Sequence, residues 1–81
     1  MSTQPPVTER KLGRHKALGL YWPALKAIEI DPRLVNRKRL EVLIHEFLHH
    51  RFPHWTEEFV DQEAVHMSKF LWKQGYRHQP K

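Results

Sequence analysis

Two histidines four residues apart, His45 and His49, are the residues of this sequence best placed to do chemistry. They belong to the segment His-Glu-Phe-Leu-His at positions 45–49. On a helix, side chains at i and i+4 lie on one face about 6 Å apart, so both imidazoles can reach one metal ion. Glu46 projects beside the same site, where it can take a proton from metal-bound water. The pattern predicts a metal-dependent hydrolytic site.

A third ligand is expected from the next segment, because zinc in a hydrolytic site takes three protein ligands and keeps one position open. A helix over about 36–51 and a second over about 56–74 would form an antiparallel hairpin joined by a short turn. Residues equally distant from that turn face each other, so Glu57 lies at the height of His49. Asp61 lies at the height of His45. We therefore predict Glu57 as the third ligand.

Other residues near the turn are alternatives for the third ligand. His54 lies in the turn itself, and a loop side chain can swing inward. Glu58 and Glu63 lie about 100° and about 120° away from the face that contains Glu57. The remaining histidines are expected to face solvent or to make structural hydrogen bonds: His15, His50, His66 and His78.

The two helices are predicted from hydrophobic spacing and from helix-end signals. Apolar residues recur at helical spacing over 40–48, Asn36 is the expected N-cap, and Pro53 ends the first helix. Thr56 is the expected N-cap of the second helix, and Gly75 lies just beyond its end. The apolar stripe of the second helix consists of Val60, Ala64, Met67 and Leu71.

The segment before the helices has strand character. Residues 25–31 alternate between apolar and polar, which is typical of a half-buried strand, and Pro32 ends the pattern. The sequence predicts an α+β fold in which a short strand or hairpin over about 15–31 packs on the helical hairpin. The polar residues 1–11 are expected to form a disordered arm, and residues 12–81 a single domain.

Composition limits the chemistry. The 81 residues include no cysteine, which excludes disulfides, Cys-ligated zinc and thiol catalysis. With seven histidines and nine carboxylates, any metal ligands are His and Asp or Glu. No apolar run approaches the ~20 residues that cross a membrane, and the N-terminal residues lack the apolar region of a secretory signal. We expect an intracellular, cytoplasmic domain.

The net charge of +5 is unevenly distributed. Residues 1–40 hold nine Lys and Arg against three acids, and residues 41–81 hold five against six. This basic half could contact nucleic acid or an acidic protein, although the run at 37–39 is more typical of a solvated helix face. The basic residues that would make the contact are Arg10, Lys11, Arg14, Lys16, Arg37, Lys38 and Arg39.

In the His-Glu-Phe-Leu-His segment at positions 45–49 and the acidic residues that follow it, the sequence resembles the zincin metallopeptidases, and within them the gluzincins. Thermolysin-like gluzincins carry His-Glu-x-x-His on one helix and a ligand Glu on the next, followed four residues later by an Asp. Glu57 and Asp61 match those positions. The resemblance implies that Zn²⁺ is held by His45, His49 and Glu57, and that Asp61 orients His45 through its other ring nitrogen.

The resemblance covers about residues 25–75. It implies that the strand at 25–31 is similar to the zincin edge strand, which runs above the active-site helix and holds substrate in an extended form. The spacing from His45 and His49 to His54 also resembles the SprT-like small zincins, whose third ligand is a histidine soon after the motif. Thermolysin-like enzymes have a longer segment between the helices and a C-terminal subdomain that supplies transition-state donors; this chain has room for neither.

The implied function is that of a minimal zincin, a zinc-dependent metallopeptidase acting on a protein or peptide. Zinc would lower the pKa of its water to about 7, and Glu46 would act as the general base. A second oxyanion donor is expected, with Tyr76, Arg77 and His54 as the candidates. The alternative is a non-catalytic, zinc-stabilised binding module that uses its basic N-terminal half. A third interpretation retains the same elements without a metal.

Overall fold

The computed structural model describes residues 4–13 and 17–79, which form a three-stranded sheet and two packed helices. The elements in chain order are β1 (Val7–Glu9), β2 (Gly19–Trp22), β3 (Ala27–Ile30), α1 (Asn36–Arg51) and α2 (Glu57–Lys73). The predicted α+β fold is confirmed, because β2 and β3 form a hairpin that packs on the helical hairpin. In the part of the chain described, neither helix is long and apolar enough to span a membrane.

The sheet contains a third strand, β1, beyond the predicted strand or hairpin. The sheet has the order β1-β3-β2, with β1 parallel and β2 antiparallel to β3. The prediction of a disordered arm over residues 1–11 is wrong for residues 7–9, which form β1. The backbone explains this, since Ile28 N–H donates to Pro6 O at 2.9 Å and Arg10 N–H donates to Ile30 O at 3.0 Å. Residues 1–3 of the predicted arm lie outside the described residues.

Helix α1 lies between the sheet and α2 and packs on both. On its sheet side the buried core consists of Ile28, Ile30, Leu34 and Val42. On its α2 side the buried core consists of Leu48, Val60 and Ala64. Each fully buried apolar side chain of this size stabilises the fold by about 1.5–3 kcal/mol relative to exposure. The two apolar faces fix the rotation of α1, and they leave a polar strip between them that contains His45 and His49.

The helix ends follow the predicted signals with one exception. Thr56 caps α2, because its side-chain oxygen accepts a hydrogen bond from Phe59 N–H at 3.1 Å. Gly75 follows α2 with φ +95°, a conformation that favours glycine. The prediction of Asn36 as an N-cap is wrong: α1 begins at Asn36 itself, and the capping position is Val35, which makes no side-chain hydrogen bond. Asn36 has φ 57°, a left-handed conformation that asparagine tolerates better than most residues.

One member of the predicted α2 stripe is misplaced. Met67 is 37% exposed, and the neighbouring Ser68 is fully buried. Ser68 accepts a hydrogen bond from Arg37 at 2.8 Å and donates one to Val65 O at 3.0 Å. The helical spacing also places Ser68 on the face of α2 that meets α1, and the hydrogen bond from Arg37 satisfies its buried hydroxyl there.

Candidate metal centre

Three potential metal ligands converge where α1 and α2 meet at the turn. His45 and His49 lie on α1, Glu57 is the first residue of α2, and one ligand atom from each lies within 4.8 Å of the others. Nε2 of His45 is 2.5 Å from Oε1 of Glu57, and Nε2 of His49 is 3.3 Å from the same oxygen. The structure thus brings together the three residues predicted as ligands.

The donor set fits zinc. Two imidazole nitrogens and one carboxylate oxygen are ligands that catalytic zinc sites use. Ligand atoms at about 2.1 Å from a tetrahedral zinc lie about 3.4 Å apart, which matches the 3.3 Å between His49 and Glu57, whereas the 2.5 Å between His45 and Glu57 is the length of a short hydrogen bond. Burial by itself raises the pKa of Glu57, but the hydrogen bond from His45 and the charges of His45 and His49 outweigh it and hold the pKa below its ordinary value. The carboxylate is therefore in the form that binds a cation.

The turn between the helices sets the position of Glu57. Phe52 N–H donates to Leu48 O at 2.8 Å, and Trp55 N–H donates to Phe52 O at 3.0 Å. The rings of Phe52 and Trp55 stack with centroids 4.1 Å apart, and Phe59 packs edge-on against Trp55 at 4.7 Å. These contacts, together with the Thr56 cap, hold the turn short, so the first turn of α2 lies beside the last turns of α1.

Glu46 lies beside this cluster in a buried position. Its side chain is 8% exposed and lines the same cleft as His45, His49 and Glu57. Burial raises the pKa of Glu46; the charges of the two histidines oppose this rise and the charge of Glu57 adds to it. A raised pKa suits a carboxylate that accepts and returns a proton near neutral pH.

Sequence reasoning missed Gly19, which brings β2 close to Glu46. A Cβ at position 19 would lie 2.5 Å from Val42 Cγ1, 3.1 Å from Glu46 Cγ and 3.2 Å from Glu46 Oε2. Only a residue without a side chain allows this approach. The available signal was an isolated glycine in a strand pattern, which often marks a close contact of the backbone.

Asp61 lies on the far side of His45 from the cleft. Its Oδ1 is 3.7 Å from Nδ1 of His45, which leaves Nε2 directed at Glu57. This distance is longer than a hydrogen bond, so in this structure the contact is electrostatic. The position is the one that the orienting role requires, and the role itself stays a prediction.

The alternative ligands lie elsewhere. In the described part of the chain the cluster contains neither His54, which is exposed in the turn, nor Glu58 and Glu63. His50 is bound to the Tyr21 hydroxyl at 2.8 Å, in line with a structural role, and His66 and His78 are exposed. His15 lies outside the described residues.

A cleft of about 1080 Å³ opens over the candidate metal centre. Its lining residues come from the segment before β1 (residues 4–6), from β2 and the β2–β3 turn, from α1 with the turn after it, and from the start of α2. The expectation that residues 25–31 form the substrate-holding edge strand is wrong. Ala27–Ile30 is the central strand β3, and its backbone groups are paired on both sides, whereas β2 is the edge strand that borders the cleft.

The residues that line the cleft include none of the three expected oxyanion donors. Tyr76 is 64% exposed near the C-terminus, Arg77 stacks on Trp72 at 3.5 Å, and His54 does not reach the lining. Tyr21 and His50 are among the polar side chains that do line it. No pattern in the sequence indicates them, because β2 crosses α1 only in the folded chain.

Most basic side chains of the N-terminal half are engaged with carboxylates. The ion pairs are Arg10–Glu29, Arg33–Asp31, Arg37–Glu41, Lys38–Glu41 and Arg39–Glu9. Burial raises the pKa of Glu41, but the hydrogen bonds from Lys38 and Arg37 outweigh it and the pKa is lowered. These cations stabilise the fold, and contact with nucleic acid stays a prediction. Arg14 and Lys16 lie outside the described residues.

Comparison of the chain with known protein families, with curated proteins and with solved structures finds no match. The functional assignment therefore rests on the side chains of this chain.

Proposed function

We propose that this protein is a zinc-dependent metallopeptidase. The observation that carries the proposal is the convergence of His45, His49 and Glu57 beside a buried Glu46 in one open cleft. A purely structural zinc site has a closed ligand set and no use for a buried carboxylate next to it. The cleft also leaves room for a substrate, which a structural site does not need.

The roles follow from the positions of the side chains. When bound, Zn²⁺ supplies a Lewis acid that acidifies water and polarises a carbonyl. His45, His49 and Glu57 would hold the ion. Glu46, whose raised pKa follows from burial, takes a proton from water in the cleft and returns it to the departing amine.

The edge strand β2 supports a peptide as the substrate. Gly19, Leu20 and Tyr21 line the cleft, and β3 pairs with only one side of their strand. An extended peptide can add to such an edge through main-chain hydrogen bonds, which gives binding with little demand on side chains. The peptide would then pass over the face of α1 that presents His45 and His49.

The test uses a matched pair of variants at equal zinc content. Glu46→Gln keeps the size and hydrogen bonding of the side chain but cannot accept the proton, so we expect cleavage of unfolded protein or a peptide library to fall about 10²–10⁴-fold. Glu58→Gln makes the same change at an exposed position outside the cluster and should retain full activity. Zinc content is measured by native mass spectrometry. Wild-type protein that binds zinc and cleaves nothing, or equal cleavage by both variants, would refute the proposal.

A further inference from the structure

The end of the cleft where the β2–β3 turn approaches the C-terminal end of α1 is basic, since Gly19 of β2 lies beside Glu46 and Tyr21 contacts His50. Lys26 lies in the β2–β3 turn, Arg51 is the last residue of α1, and both line the cleft. We call this pair the basic end. Both side chains are exposed, and Arg51 also lies over the Phe52 ring at 5.8 Å.

The basic end differs from the paired cations elsewhere. The arginines and lysine at positions 10, 33, 37, 38 and 39 each form an ion pair. Within the described residues, Lys26 and Arg51 form no ion pair within 4.0 Å. Their charges are therefore available to a ligand in the cleft.

Away from the candidate metal centre, the residues that line the cleft include no carboxylate that could neutralise this charge. Of the residues that line it, only Glu46 and Glu57 are acidic; Glu57 is a candidate metal ligand and Glu46 lies beside the candidate centre. The C-terminal end of α1 carries a partial negative charge of about half a unit, which two full positive charges outweigh. Charge of one sign in a cleft attracts ligands of the opposite sign.

We propose that the cleft selects peptides that place a carboxylate at the basic end formed by Lys26 and Arg51. The proposal rests on the proposed function, because it assumes that a peptide occupies the cleft. The carboxylate can come from an aspartate or glutamate side chain or from the C-terminus of the peptide. The chemistry of recognition is the same, and the two sources are separable by experiment.

The experiment measures peptide binding without turnover. Zinc-loaded Glu46→Gln protein is titrated with three short peptides labelled with a neutral dye, and binding is followed by fluorescence anisotropy. One peptide has acidic side chains and an amidated C-terminus, one has neutral side chains and a free C-terminus, and one is neutral and amidated. The same titrations are repeated in Lys26→Gln/Arg51→Gln protein. Lys11→Gln/Lys69→Gln protein, which loses two exposed lysines outside the cleft lining, is the matched control.

We expect at least one carboxylate-bearing peptide to bind more tightly than the neutral one. Each exposed ion pair changes affinity by a factor of about 1.5 to 5, so loss of both cations should weaken that peptide about 2- to 25-fold. The control should keep the preference. Equal binding of all three peptides, equal weakening in the two double variants, or no binding of any peptide would overturn the proposal. If the wild-type protein binds carboxylate-bearing peptides selectively but cleaves nothing, the proposed hydrolase function is refuted and the proposed peptide selectivity is retained.

Discussion

The contact between Gly19 and α1 gives the sharpest test of how the site is built. In Gly19→Ala, the new Cβ would lie 2.5 Å from Val42 Cγ1, whereas ordinary contact begins near 3.4 Å. The strand and the helix must therefore separate by about 0.9 Å, or Val42 must move within a packed core. The same Cβ meets Glu46 at 3.1 Å and 3.2 Å, so the proposed general base is displaced too.

The magnitude follows from known costs of overpacking. An extra methyl group in a well-packed core costs about 1–3 kcal/mol, and in a domain of this size each kcal/mol lowers Tm by about 4–8 °C. We expect Gly19→Ala to lose about 2 kcal/mol and about 10 °C in Tm. Displacement of the proposed general base should lower the rate of cleavage more than it lowers stability, so activity should fall further than the folded fraction does.

The assay compares five proteins by thermal unfolding and by peptide cleavage at a temperature where all are folded. Gly13→Ala is the matched control, since a Cβ at Gly13 meets nothing within 4 Å. Val42→Ala is introduced into both wild type and Gly19→Ala. Removal of Cγ1 takes away the closest atom, so the two substitutions should couple by about 0.5–3 kcal/mol in the favourable direction.

Two results would refute this reasoning. If Gly19→Ala unfolds at the same temperature as Gly13→Ala, β2 does not lie as close to α1 as described. If the effects of the substitutions at positions 19 and 42 on the free energy of unfolding are additive, the new methyl group does not meet Cγ1 of Val42.

Three further predictions concern the ligands and a buried carboxylate. Glu57→Ala should lose zinc affinity and His54→Ala should keep it, as measured by competition with a chelator; the reverse result would favour the SprT-like arrangement. Asp61→Ala should weaken zinc about 10- to 100-fold without unfolding the protein, whereas unchanged affinity would exclude the orienting role. Asp31 is fully buried and bound to Arg33, whose hydrogen bonds and charge hold its pKa well below the ordinary value. The contribution of ionised Asp31 to the free energy of unfolding is therefore complete above about pH 4 and is lost as the pH falls from there. Tm of wild type should then decline more steeply with acid than Tm of Asp31→Asn, and parallel declines would contradict this.

Local signals in the sequence were sufficient for the two helices and for the histidine pair. The spacing of His45 and His49 is a property of one helix turn, so no other part of the fold is needed to bring them together. Thr56 and Pro53 likewise act within a few residues of themselves, and they define the turn. Glu57 could be predicted because a short turn makes two helices antiparallel neighbours, which is a constraint of chain connectivity.

The arrangement of the sheet and the walls of the cleft depend on contacts between distant segments. Strand β1 is three residues long and all of its residues are exposed, so no hydrophobic pattern marks it, and only its hydrogen bonds to β3 create it. The same pairing makes β3 central and leaves β2 as the edge beside the cleft. Gly19 acquires its role only because β2 crosses α1 above Val42 and Glu46. The sequence by itself therefore determined the helices and the ligand pair, since these depend on short-range periodicity. Tertiary structure decided which strand borders the site, because strand order follows from backbone pairing that side-chain patterns do not encode.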